Sequence, residues 1–387
     1  MSIYDILYNL TPYSGFARSI IWQDSDIKDY ERFPFRIIDN APPLFHFITQ
    51  GINSTTEESK INGSFLSSPV LFNKIVPNGD TEGKKKKKSF DEFLASTGTT
   101  SFVVIKNDEI LYEKYFNGYH EESINTSFSM AKSITSALIG IAIDEGMIQS
   151  VDDPIAKYLP ELRQKDPSFN SITLKNLLTM SSGLRYIEEG LPWSDDSRTY
   201  YDTDLRSLAL SAKVEEQPGK RFHYNNYNAL LLGMILERTT HMNVSQYLEE
   251  KIWKPLGMEA SASWSLDSDA YGFEKMESGI NARAIDFAKI GRLFLNNGNW
   301  NGKQIISEIW VNESTRPDTI TDPAQFYQYM WWVENAQKEG NYHFFAVGKY
   351  GQYIYVIPEK NMIIVRHGYE SGYDGWTDLF KNIARIV

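Results

Sequence analysis

The stretch FSMAKSITSALIGIAIDEG, residues 128–146, constrains this chain more than any other. Its second half is apolar on every side, which a helix tolerates only where neighbours cover it all round. Its first half crowds hydroxyls and Lys132 at the mouth of that helix. Positions i and i+3 share a helix face, so Lys132 can reach the Ser129 Oγ. A serine hydroxyl is a poor nucleophile until a neighbouring base takes its proton, and burial favours the proton-accepting form of a lysine side chain. The helix N-terminus adds unpaired N–H groups and a positive dipole end, both suited to a developing oxyanion. A plainer reading has Ser129 capping the helix and Lys132 on a solvated face. The spacing alone leaves both open. The setting, between a hairpin and a strongly apolar helix, favours nucleophile and base. A second Ser-x-x-Lys, Ser25 to Lys28, has no apolar helix after it and reads as surface.

A helix covered on all sides needs a large body, and 387 residues with a 42% hydrophobic fraction supply one, as two interleaved domains or one large one. The chain has no cysteine, which excludes thiol catalysis, disulfides and thiolate metal sites. No HExxH pair occurs, so neither a metal nor a cofactor is expected. A net charge of −11 argues against nucleic acid or an anionic membrane as the main partner. Residues 1–22 carry Asp5 where a secretory leader is basic and lack a sustained apolar core, so no signal peptide is expected. A cytoplasmic location is the default, with a periplasmic or secreted one if the start is processed. No apolar run reaches the roughly 18 residues of a spanning helix. Oligomeric state is left open.

Residues 1–90 read as an N-terminal extension with aromatic and proline punctuation, ending near a solvated loop with five consecutive lysines, Lys84 to Lys88. Residues 101–116 read as a hairpin turning at Asn107-Asp108, and residues 350–368 as a second one turning at Pro358 and Asn361. Helical patches fill the middle, including NALLLGMILERTT and a helix capped at Asp286 and closed at Gly298. An amphipathic helix, WTDLFKNIARIV, ends the chain. Strands near both ends and helices between them predict an α/β (α+β) body. Residues 91–160 and 290–387 make its sheet domain, and residues 161–289 an inserted all-helical domain.

Two more signals follow in order. Tyr224-Asn225-Asn226 precedes an apolar helix; a phenol near a lysine can relay a proton, and the Asn226 amide can hold polar atoms of a substrate. The same Tyr-x-Asn pattern occurs within a strand at Tyr115, so it is weak alone. In FFAVGKYGQYIYVIP, Gly348 opens a strand edge to close approach, and the Lys349 N–H is placed to be a second oxyanion donor beside that of Ser129. Tyr186 and the pair Trp331-Trp332 are candidates for an apolar cleft wall, with simple packing as the alternative.

Each pattern is common, but the ordered set resembles the penicillin-recognising serine hydrolases: class C β-lactamases, D-alanyl-D-alanine carboxypeptidases and related esterases and amidases. LKNLLTMSSGL, YLEEKIWKPLGM and residues 278–307 are similar to that family too, and the likeness spans residues 95–387. It implies a β-lactamase-like antiparallel sheet flanked by helices, beside an all-helical domain. It implies Ser129 as the acylated nucleophile, Lys132 as its base partner, Tyr224 as proton relay and Asn226 at the substrate-orienting position. Many relatives carry Lys or His two residues before the third-motif glycine, and here Ala346 stands there. The chain therefore looks closer to the 6-aminohexanoate-dimer hydrolase and carboxylesterase branch. The expected reaction is hydrolysis of a small ester or amide. A D-alanyl peptidase or weak β-lactamase is the first alternative, and an inactive binding module the second.

Overall fold

The structure, a computed structural model, describes residues 2–49, 89–188, 191–316, 324–336 and 341–387. The lysine run at 84–88 lies outside them. The extension begins with helices α1 (Ile3–Leu10) and α2 (Gly15–Ile21) and strand β1 (Phe35–Ile38). Helix α3 (Phe90–Ser96) leads into β2 (Thr99–Lys106) and β3 (Glu109–Tyr115). The expected turn is there: Asn107 and Asp108 both take positive φ, 53° and 63°, which Asn and Asp tolerate better than most residues.

After β4 (Asn125–Thr126) comes α4 (Met130–Asp144), the helix anticipated behind Ser129, followed by Gly146 at φ 74°. Helix α4 is buried from Met130 to Ala142, as its all-round apolar sequence requires. Gly140 lets Trp310 lie against it, since a Cβ there would stand 2.5 Å from the indole. Helices α5 (Asp195–Tyr201) and α6 (Asn226–Thr240) lead to β5 (Ala262–Ser265) and β6 (Ile280–Ala282), then α7 (Ala284–Leu295). The chain closes with β7 (Tyr327–Gln328), β8 (Trp331–Ala336), β9 (Asn341–Gly348), β10 (Gln352–Ile357), β11 (Met362–Gly368) and α8 (Trp376–Ile386).

The main sheet has seven strands in the order β3-β2-β11-β10-β9-β8-β7, every pair antiparallel. It joins the two ends of the chain, with Val103 opposite Val365 and Ile105 opposite Ile363. These four point to the large core that surrounds α4, α6 and α7. Their alternates Phe102, Val104, Met362 and Ile364 face the other way, onto α3 and α8. In α8, Trp376, Leu379, Phe380 and Ile383 form the buried stripe at helical spacing. The expected fold class is therefore the observed one.

Two expectations need correction. Residues 161–289 are not all helical, because β5 and β6 lie in a second sheet of order β1-β5-β6-β4. These strands have four and three residues, too short for alternation to register in the sequence. The same sheet takes β1 from the extension, which thus belongs to the body. Asp286 is not a helix cap. It sits inside α7, where its buried carboxylate accepts the N–H groups of Glu259 and Ala260 at 2.7 and 3.3 Å and pairs with Lys289. Arg283 holds the N-cap position.

Candidate active site

Ser129 occupies the N-cap of α4 yet makes no capping hydrogen bond with its side chain. The plain capping reading therefore fails. Instead Lys132 Nζ donates to Ser129 Oγ at 2.9 Å. Lys132 is 1% exposed, which removes the solvated-face alternative as well. Its Nζ also donates to the Glu277 carbonyl at 3.0 Å and stands 5.0 Å from the centre of the Tyr224 ring. Two fixed partners and an aromatic face thus set the position of the amine. Just before the serine, Phe128 takes φ 46°, a left-handed turn that costs a bulky residue energy. Burial against Tyr200 and Tyr350 holds Phe128 there, with ring centres 6.3 and 5.5 Å away.

Strand β9 ends against this turn. A Cβ on Gly348 would lie 2.3 Å from the Ser127 carbonyl oxygen, 3.0 Å from Phe128 Cβ and 3.1 Å from the Ser129 nitrogen. Only glycine lets the strand come so near, so the Gly348-Lys349 peptide runs beside the Ser129 N–H. Tyr224 directly precedes the Asn225 cap of α6, whose side chain accepts the Tyr227 N–H at 2.9 Å. The Tyr224 ring stacks on Trp332, with centres 6.1 Å apart and planes at 24°. Ser129, Tyr224, Asn226 and Lys349 share one cleft of about 370 Å³, within the usual range for small-molecule sites.

The remaining candidates are placed less simply. Asn226 reaches the cleft, but its Nδ2 donates inward, to Tyr186 Oη at 2.8 Å and Thr199 Oγ1 at 3.1 Å. Tyr186 does not line the cleft. It is buried behind Asn226, donates to Asp196 Oδ1 at 3.1 Å, and burial holds its phenol well above the usual tyrosine range. Trp331 is corrected outright: it is fully buried against Phe294 and Phe344, because strand alternation turns it to the core and gives Trp332 to Tyr224. Ala346 is fully buried and opposite Ile354. Arg366 is fully buried as well, donating to the carbonyls of Thr97, Tyr350 and Gly351 while its face covers Trp376, and burial lowers its pKa to about 9.

Sequence reasoning missed part of the cleft wall. Ser19, Gln23, Asp24 and Ser25 of the extension line it, as do Asp196, Glu277 and Ser278. Ser25, read as surface, is 8% exposed, and its Oγ accepts Lys349 Nζ at 2.9 Å. No pattern in the sequence marks Glu277, although its carbonyl holds the Lys132 amine. Among the described residues, no cluster of three or more metal-ligating side chains occurs. Nor is any helix among them long and apolar enough to cross a membrane.

A seven-stranded antiparallel sheet, a buried Ser-x-x-Lys helix and a glycine strand closing on it define a class, and comparison with known proteins agrees. The Beta-lactamase family profile matches residues 87–367, so the chain belongs to the β-lactamase family and with it to the penicillin-recognising serine hydrolases. It is 24% identical over 319 residues to the 6-aminohexanoate-dimer hydrolase of Paenarthrobacter ureafaciens, covering 73% of this chain and 78% of that one. A solved structure from Bacillus anthracis, provisionally named a 6-aminohexanoate-dimer hydrolase, superposes with TM-score 0.74 at 25% identity over 98% of this chain and 97% of that one. A penicillin-binding protein from Bacillus halodurans shares the fold, with TM-score 0.61 at 18% identity over 77% and 99% of the two chains.

Proposed function

We propose that the protein hydrolyses a small carboxylic ester or amide through an acyl-Ser129 intermediate. The observation that carries this reading is the buried Lys132 Nζ, 2.9 Å from a Ser129 hydroxyl that caps nothing. Lys132 receives the Ser129 proton as Oγ attacks the carbonyl carbon. The backbone N–H groups of Ser129 and Lys349 face the oxyanion that forms. Tyr224, whose ring lies over the Lys132 amine, passes the proton to the leaving group, and water then releases the acyl group by the reverse path. Asn226, with its amide nitrogen tied back to Tyr186 and Thr199, shapes the cleft wall.

The charge of the cleft favours neutral or cationic substrates over anionic ones. Among the described residues, Asp24, Asp196 and Glu277 line it, Glu277 paired with the buried Lys275, against one lining cation, Lys349, which is engaged with Ser25. At Ala346 no charged side chain is available to a substrate carboxylate, a contact worth roughly 1.5–3 kcal/mol. Short p-nitrophenyl esters or small neutral amides should therefore turn over, with little or no hydrolysis of nitrocefin or benzylpenicillin. Ser129→Ala should lower turnover on the order of 10³-fold or more while the fold persists. A fluorophosphonate should label the parent and spare the variant. Labelling that survives in the variant would sink the nucleophile assignment. Efficient penicillin hydrolysis without esterase or amidase activity would overturn the substrate class.

A further inference from the structure

From Ser19 to Ser25 the extension lines the cleft as a strap, and its contacts converge on the peptide proposed to hold the oxyanion. Ser25 is the centre of the strap. Its Oγ accepts Lys349 Nζ at 2.9 Å, and its carbonyl accepts Tyr350 Oη at 2.7 Å. The strap is itself anchored. The Thr126 N–H donates to the Ile27 carbonyl at 3.0 Å, Tyr201 Oη to the Gln23 carbonyl at 3.0 Å, and Tyr200 Oη to the Asp29 carboxylate. From the opposite side Arg366 grips the Tyr350 and Gly351 carbonyls at 2.9 and 2.7 Å. Between these grips Tyr350 sits at φ 63°, a conformation a tyrosine keeps only when its surroundings impose it. A lysine side chain on the surface is otherwise mobile, and Lys349 is exposed. Its bond to a buried hydroxyl therefore turns a loose side chain into a tether for its own backbone.

We infer that Ser25 is a positioning residue: by holding Lys349 and Tyr350 it fixes the Gly348-Lys349 peptide against the Ser129 turn and so sets the second oxyanion donor. The inference rests on the acyl-Ser129 reading above. A donor moved by a fraction of an ångström still serves the ground state but serves the transition state less well, so the loss belongs in kcat rather than KM.

Ser25→Ala and Lys349→Met remove the same bond from its buried and exposed ends. Removal of an oxyanion donor costs about 10²–10³-fold, and misplacement should cost less, so each variant should lose on the order of tenfold in kcat on a p-nitrophenyl ester. KM should stay within about twofold, and the double variant should be no worse than either single one, as expected of residues acting through one contact. Parent-like kcat in either variant, a loss confined to KM, or additive losses in the double variant would overturn the inference. If Ser25→Ala does not fold, the exposed Lys349→Met carries the test. Fluorophosphonate titration of the parent separates the two failures. A parent not labelled at Ser129 removes the acyl-enzyme reading and this inference with it, whereas a labelled parent with unaffected variants removes this inference alone.

Discussion

The reactivity proposed for Ser129 rests on what its hydroxyl does not do. A serine at an N-cap ordinarily accepts an N–H from the first turn, a bond worth about 1 kcal/mol. Here the hydroxyl receives the Lys132 amine instead. That pair was legible in the sequence because three residues along a helix fix its geometry locally. Gly348 was legible only in part: the glycine could be noticed, but its reason is contact with residues 127–129, more than two hundred positions away. Gly348→Ala tests that reason. Its φ of −125° suits any residue, so the penalty is steric, from a methyl group 2.3 Å from the Ser127 carbonyl. The strand end must move away, at a cost of about 1–3 kcal/mol in stability. Ester turnover should fall further than this overpacking explains, on the order of 10²-fold, because the same shift separates the two N–H groups proposed to hold the oxyanion. Parent-like turnover in this variant would show that the close approach has no part in catalysis. Ser25 was illegible for the reason Gly348 was half-legible: its partner, Lys349, is 324 residues distant.

At the scale of elements, periodicity carried what it could. The all-round apolar α4, the α8 stripe and both hairpin turns follow from patterns a few residues long. Strands β4 to β6 did not, since two to four residues contain too little alternation to separate from loop. Neighbouring tryptophans on β8 show a subtler limit. Alternation guarantees that Trp331 and Trp332 face opposite ways, but not which of them faces the cleft. Trp331 takes the core, packed 4.5 Å from Phe294 between ring centres, and Trp332 lies under Tyr224. The two should fail differently. Trp331→Leu leaves a void in a fully buried site and should cost a few kcal/mol of stability, toward the lower end of the range for large-to-small core changes. Trp332→Leu should cost less stability but lower turnover, because it removes the stack on Tyr224, the phenol proposed to relay the proton. Chemical denaturation and ester kinetics on the pair would decide. An intact kcat in Trp332→Leu would detach that stack from catalysis.

For the molecule as a whole, the sheet that unites the chain ends also buries a titratable group. His367 on β11 is fully buried, its Nδ1 3.0 Å from Ser101 Oγ on β2 and its ring 5.2 Å from that of Phe287 on α7. Burial, with the neighbouring Arg366 charge, depresses its pKa from 6.5 to about 3. In the unfolded chain the imidazole regains its ordinary pKa, so below pH 6.5 the unfolded state binds the proton and the folded state does not. The stability this group provides is complete above pH 6.5 and is lost progressively as pH falls toward 3, at up to about 1.4 kcal/mol per pH unit. Buried carboxylates act in the opposite sense. Burial raises the pKa values of Asp29, Asp267 and Asp286, so the folded state takes up their protons more readily and gains stability relative to the unfolded chain as pH falls. The parent's net slope mixes both effects, and a comparison with His367→Gln isolates the histidine. Urea midpoints measured from pH 7 to pH 4.5 should fall more steeply in the parent than in the variant, whatever the variant's offset at pH 7. Parallel slopes would mean that His367 is protonated in the folded state, and the strand pair β2-β11 would then have to accommodate a buried cation beside Arg366.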